Sequence, residues 1–336
     1  MANKMTPRER VLAALDLKEV DRPPVVCFTQ SATVDVMDAV KIYWPEAHTD
    51  AHKMADLAIG VPKVLGLESV RLPYCLTVEA EVMGCTVDLG KQDRTPMVKK
   101  HGYEGDSEVH VPKNVTSLGR MKTVIEAVKI AKEKAGKEYP IVVGTTGPVT
   151  IAGHLVGTEN LLLWMITEPD NVKKFVDVAT ELEKQYITAL AKAGADVIVM
   201  SDPSSSTDML SGELFDQYSK PSIKEAFSDV GEARTVLHIC GNTTALIDHM
   251  IDTGVTGLSI EEKVTPEDAV RLVGGRAALV GNVGVVRPLL QGTPEECYEH
   301  AKRVKDAGFN LIAPGCGLAA RVPKVNIEAM VRAVKE

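Results

Sequence analysis

Short runs of β-branched and aliphatic residues alternate along the chain with longer stretches in which apolar positions recur every three or four residues. The short runs cover residues 24–28, 69–72, 141–145, 196–200, 235–239, 256–260, 278–281 and 310–313. From the third onward they are almost unbroken in apolar residues, the pattern of a parallel strand buried on both faces. Between them lie amphipathic stretches such as 121–134, 172–192 and 213–227. Strand followed by helix, eight times over, predicts an α/β fold closed into a (β/α)8 TIM barrel, with an open doubly wound sheet as the alternative.

Local signals refine that outline. Thr6-Pro7-Arg8-Glu9 is a capping box with proline at the first helical position, and it predicts an N-terminal helical extension reaching about Leu17. Thr265-Pro266-Glu267 and Thr293-Pro294-Glu295 mark two further helix starts in the same way. Residues 76–100 alternate, with Gly84 and Gly90 as turn signals, and predict a β-hairpin insertion after strand 2, at the rim of the barrel. Residues 107–118 read as irregular chain. With no internal repeat, low-complexity segment or linker, residues 1–336 are expected to form a single domain.

Composition narrows the class without naming a chemistry. The chain is 45% hydrophobic and 25% charged, with a formal net charge of −8, and no basic patch recommends it to nucleic acid. No apolar run reaches the roughly 18 residues of a membrane span. The N-terminus runs into a charged amphipathic helix instead of a signal peptide's apolar core, so a cytoplasmic location is expected. The six cysteines then read as reduced thiols and not as a disulfide framework.

Three of the chain's side chains form a candidate metal site. In Thr235-Val-Leu-His-Ile-Cys-Gly-Asn242, His238 and Cys240 are two apart on a predicted strand and therefore share a face. Cys316, in Ala313-Pro-Gly-Cys-Gly317, follows the last strand and reaches the same C-terminal rim, where barrel enzymes keep their active sites. One histidine and two cysteines leave a position open on a tetrahedral zinc, the mark of a catalytic site. Two cysteinates make zinc a weak Lewis acid, suited to activating a thiol for alkylation more than to making hydroxide. Glu261, directly after strand six, is either a displaceable fourth ligand or a surface carboxylate paired with Lys263. Asp202, after strand four, could serve acid–base work, substrate positioning or loop capping. Cys297 reads as core, and Cys27, Cys75 and Cys85 as packing.

These residues carry a resemblance. Together with Val20-Asp-Arg-Pro23, Trp44-Pro-Glu-Ala-His48, Val70-Arg-Leu-Pro-Tyr74, Gly147-Pro148, Gly194-Ala-Asp-Val197 and Ser259-Ile-Glu-Glu-Lys263, the chain resembles the uroporphyrinogen decarboxylase superfamily. Within it, the His-x-Cys-Gly-Asn and Pro-Gly-Cys-Gly pair is similar to the methylcobamide:coenzyme M methyltransferases of methanogenic archaea. The resemblance implies one zinc per chain on His238, Cys240 and Cys316, with Glu261 as a displaceable ligand. It also implies methyl transfer from a methyl-Co(III) corrinoid, carried by a partner protein, to the thiol of coenzyme M (2-mercaptoethanesulfonate).

For the sulfonate, Arg71 is the expected cation, unless it pairs with a neighbouring carboxylate, and Asn242 a further donor. The hairpin is the expected docking surface for the corrinoid protein. Two alternatives stay open: a zinc-free decarboxylase-like lyase, and a zinc methyltransferase using another thiol such as homocysteine. The first lacks an arginine in Val25-Val-Cys-Phe-Thr-Gln30, where a decarboxylase would carry an arginine-rich signature.

Overall fold

A computed structural model describes residues 5–336; the first four residues of the charged N-terminal lead lie outside the described residues. The strands are β1 (Val70–Leu72), β2 (Thr86–Asp88), β3 (Met97–Lys100), β4 (Ile141–Thr146), β5 (Val197–Ser201), β6 (Arg234–His238), β7 (Gly257–Ile260), β8 (Ala278–Val283) and β9 (Leu311–Pro314). Seven of them form one parallel sheet in the order β1-β4-β5-β6-β7-β8-β9.

The first of the eight expected strands is reduced to a single bridge between Val25 and Ile312. Val26 N donates to Ile312 O and Ile312 N to Pro24 O, both at 2.9 Å. On the other side Glu68 N donates to Val25 O at 2.8 Å, so this segment spans the gap between β9 and the approach to β1. Prolines 23 and 24 have no amide hydrogen, which shortens the ladder there.

Side chains on the sheet alternate between two cores. Val142, Val197, Val199, Val236, Ala278, Val280, Leu311 and Ala313 pack together on the inner face with Val11, Ala14 and Leu15 of the N-terminal helix Pro7–Leu15, which plugs the barrel floor. Ile198, Met200, Leu237 and Leu258 face outward into the larger core under the helices. Period-two alternation then puts Thr146, Ser201, His238 and Ser259 above the inner apolar layer, toward the strands' C-terminal ends. Register confirms their level: Thr146 pairs with Ser201, Ser201 with His238, and His238 with Ser259.

Other expectations are corrected in detail. The N-terminal helix stops at Leu15, because Asp16 ends it and Leu17 turns to φ +56°. The region 76–100 is not all hairpin: Val78–Val82 is a helix, and only then do β2 and β3 pair antiparallel. The stretch 213–227 is broken by a π-helical segment, Phe215–Ser219. Helices Val34–Val40, Ala51–Leu65 and Pro148–Val156 had no counterpart in the sequence reading. Among the described residues, no single helix is long and apolar enough to cross a membrane.

Candidate metal and substrate site

His238 is the last residue of β6, and Cys240 follows two positions later, just before Gly241 turns the chain at φ +88°. Cys316 arrives from the other side, two residues beyond β9. His238 Nε2 lies 3.3 Å from Cys240 Sγ, and Cys240 Sγ lies 3.5 Å from Cys316 Sγ. One donor atom from each falls within 4.8 Å of the others, and among the described residues this is the one such group that could hold a metal ion.

The Ser259 hydroxyl sits 3.0 Å from His238 Nδ1 and fixes the ring so that Nε2 points at the sulfurs. Outer partners of this kind orient metal-binding imidazoles. Sequence reasoning missed Ser259, although its place two residues before Glu261 put it on the inner face. The two thiols do not titrate alike: their mutual hydrogen bond holds Cys316 well below the usual thiol range and pushes Cys240 above it.

A cavity of about 470 Å³ opens from these donors, and His238, Cys240 and Cys316 line one part of it. Arg71 lines another. Its side chain is 2% exposed, and its Nε donates to Phe28 O at 3.2 Å and its Nη1 to Pro73 O. Gly144 opposite makes the room, since a Cβ there would collide with the guanidinium. Among the described residues no carboxylate forms an ion pair with Arg71, whose hydrogen-bond partners are both backbone carbonyls. The rest of the wall includes Tyr74, Cys75 and Thr77 beyond β1, and Thr95–Val98 of the hairpin.

The remaining expected residues fall elsewhere. Asp202 does not line the cavity: it is fully buried, and its carboxylate accepts from Thr150 N (2.9 Å), Thr150 Oγ1 (2.6 Å) and Ser205 Oγ (2.7 Å). It therefore braces the first turn of helix Pro148–Val156, and Gly147 leaves space for it. Burial raises its pKa despite those donors. Asn242 is exposed, with its Oδ1 accepting from Thr244 N (3.1 Å) and Thr244 Oγ1 (2.6 Å) in a surface turn. Both assignments yield to capping chemistry that any Asp or Asn in a loop can adopt.

Glu261 stands beside the three donors but outside their cluster: its Oε2 accepts from Gly241 N, and Lys263 Nζ approaches its Oε1 to 3.9 Å. Its neighbour Glu262, which the sequence reading passed over, has a buried Oε2 with no hydrogen-bond partner and crowds Gly315. Cys27 is buried, and burial raises its thiol to about 11. Cys297 is core, whereas Cys75, expected only to pack, lies in the cavity wall with Arg120 Nη1 donating to it at 3.2 Å.

Comparisons with known proteins show the family. The uroporphyrinogen decarboxylase (URO-D) family pattern matches residues 6–336. The chain is 40% identical to the methylcobamide:CoM methyltransferase MtaA of Methanosarcina barkeri, covering 99% of each. It is 39% identical to the methylcobamide:CoM methyltransferase MtbA of Methanosarcina acetivorans, covering 98% of each. A solved methyltransferase from Methanosarcina mazei superposes with a TM-score of 0.95 at 42% identity, over 98% of both chains. A B12-independent methionine synthase from a Shewanella species gives a TM-score of 0.65 at 13% identity over 94% of this chain and 97% of that one, a likeness of fold.

Proposed function

The chain belongs to the uroporphyrinogen decarboxylase family and, within it, to the methylcobamide:CoM methyltransferases; it is a methyltransferase, and we propose that it transfers a methyl group from a methyl-Co(III) corrinoid to the thiol of coenzyme M at a zinc site. The products are methyl-coenzyme M and a Co(I) corrinoid. One observation carries the reading: a three-donor sulfur and nitrogen cluster shares one cavity with a buried guanidinium that has no carboxylate partner. A short molecule with a thiol at one end and a strong anion at the other suits both.

The donor set fits zinc. Bonds of about 2.0–2.3 Å to a tetrahedral ion place neighbouring donors about 3.3–3.8 Å apart, and the observed separations are 3.3 and 3.5 Å. Bound by His238, Cys240 and Cys316, zinc would supply the lowered thiol pKa that makes a thiolate available at neutral pH.

Everything else falls to the chain's own residues. Arg71 binds the sulfonate and orients the two-carbon linker toward the sulfur cluster. Glu261, whose Oε2 accepts from Gly241 N beside the sulfur cluster, could serve as a further ligand to the metal, and it takes the proton that the substrate thiol gives up. The low cavity polarity around Tyr74, Leu76 and Pro96 strengthens these interactions by excluding water. The thiolate then attacks the methyl group in line, and the electron pair of the cobalt–carbon bond remains on cobalt. The macrocycle stays at the mouth, where the β2–β3 hairpin with its half-exposed Met97 offers a docking edge for the corrinoid protein. We take the chain to work as one domain, in the cytoplasm.

The test is anaerobic spectroscopy of methylcobalamin with the purified protein and 2-mercaptoethanesulfonate, beside a chelated sample. Zinc-dependent appearance of cob(I)alamin is the expected result. Turnover only with homocysteine would replace the thiol, and a protein purified without zinc that still turns over would overturn the metal assignment.

A further inference from the structure

Behind the cavity wall, between the sheet and the outer helices, four oxygen-bearing side chains are buried together: Glu79 of helix Val78–Val82, Thr145 of β4, and Glu183 and Tyr186 of helix Pro169–Ala193. Glu79 is anchored, accepting from Thr146 N at 3.0 Å and Thr146 Oγ1 at 2.9 Å. The other three are not. Both carboxylate oxygens of Glu183, the Thr145 hydroxyl and the Tyr186 phenol are buried without any hydrogen-bond partner.

They nonetheless face one another. The Thr145 hydroxyl acts on the Glu183 carboxylate, and the charges of Glu79 and Glu183 both act on the Tyr186 phenol. Neighbouring charges are committed elsewhere: Arg120 donates to Glu81, Cys75 and Thr77, and Asp202 accepts from Thr150 and Ser205.

A bare carboxylate in such a place costs several kcal/mol. Burial pushes the Glu183 carboxyl well above its ordinary range, but a proton alone leaves its other oxygen, the Thr145 hydroxyl beside it and the Tyr186 phenol without a hydrogen bond of ordinary geometry. One small partner lying among these groups would satisfy them together. The donors are all oxygen, two carboxyls that burial holds above their ordinary range and two neutral hydroxyls, and a hard cation among them would favour the ionised carboxylates. No third acidic or imidazole ligand joins them, since the group His238, Cys240 and Cys316 is the one metal-type cluster among the described residues, and this argues against a divalent ion.

We propose that Glu79, Thr145, Glu183 and Tyr186 bind an alkali-metal cation. The site has a structural consequence for the cavity. Glu79 lies just beyond Cys75, Leu76 and Thr77, which line the cavity, so the ion ties that wall to β4 and to the long helix. This inference does not depend on the methyl-transfer reading.

The experiment uses the full chain. Thermal unfolding is compared in rubidium chloride, potassium chloride and choline chloride at equal ionic strength, and crystals grown in rubidium chloride are examined for anomalous scattering. The expected result is an anomalous peak between Glu79 and Glu183, with a saturable rise in Tm of about 3–6 °C over choline. Glu183→Gln should abolish the rise and Thr145→Val should weaken it. Should Glu183→Gln fail to fold, the anomalous map and Thr145→Val still decide. A map with no anomalous peak, or equal Tm in all three salts, overturns the proposal and leaves ordered water in the gap.

Discussion

The two ends of the barrel treat charge in opposite ways. At the N-terminal ends of the strands the buried charges stand in ion pairs, although Arg8 Nε itself has no hydrogen-bond partner. Arg10, 2% exposed, donates to Asp21 at 2.6 and 2.8 Å, to Glu68 and to Met5 O. Glu68 also takes Arg22 at 2.7 Å and Val25 N at 3.1 Å. Asp196 binds Arg8, Lys132 and Ile141 N, and Asp16 takes both arms of Arg234. At the C-terminal ends, Arg71 has only backbone carbonyls, two cysteine sulfurs lie 3.5 Å apart, and Glu262 keeps an orphan oxygen. A matched set of charges holds the fold together. An unmatched set is held in place by the fold and is available to a metal and a substrate.

If that division is right, damage at the two ends should separate stability from activity. The largest effect belongs to Cys316→Ala. Losing one of three protein ligands should bring metal content close to zero and cut methyl transfer on the order of 10³-fold, with the circular dichroism spectrum unchanged. Metal analysis of the purified variant checks it, and full zinc occupancy would remove Cys316 from the ligand set.

The opposite outcome is expected at the floor. Arg10→Leu leaves the buried Glu68 with Arg22 alone and removes the partner of Asp21 at the solvent edge. Breaking a buried pair by removing one partner costs about 3–5 kcal/mol, which lowers Tm by about 6–15 °C. Turnover per folded molecule at 25 °C should stay within a factor of two. A variant that kept its Tm but lost activity would contradict the assignment of this end to stability.

Arg71→Gln sharpens the contrast, because it removes a buried charge at the mouth. Its KM for 2-mercaptoethanesulfonate should rise about 10²-fold, as expected for a lost charge-assisted contact. With the neutral thiol 2-mercaptoethanol, wild type and variant should react alike, and Tm should move by no more than about 2 °C. Equal losses on both thiols would make Arg71 a structural residue.

Much of this division could be read from the sequence, though unevenly. The strand runs were legible because a parallel strand buried on both faces leaves almost no polar residue in it. His238, Cys240 and Cys316 were legible because period two and the strand ends fix where side chains point. Arg71 was placed by its position at the end of the second predicted strand, and it lines the cavity. Of the three readings open for Asp202 the structure shows the capping one, and Asn242 caps a surface turn instead of facing the cavity; a loop residue can do either, and nothing in the string distinguishes the two. Ser259, Gly144 and Glu262 act through contacts made by distant segments, which no local pattern encodes. The first strand was over-read because its prolines remove ladder donors while its apolar residues still look like a strand.

The smallest expected effect is the acid limb of stability, and it too should belong to the floor alone. The hydrogen bond from Arg234 lowers Asp16 to about 2, and that from Arg10 lowers Asp21 to about 2. In the unfolded chain both return to about 3.9. Between those values the unfolded state binds more protons than the folded one, so stability falls as pH falls. The contribution of each pair is therefore complete above about pH 5 and gone near pH 2. Asp16→Asn should lower Tm by a few degrees at pH 7, and the gap from wild type should close as pH drops through 4 toward 2. Thermal scans across that range decide it: a gap that persists undiminished at pH 2 would mean that Asp16 stabilises the chain by its shape and not by its charge.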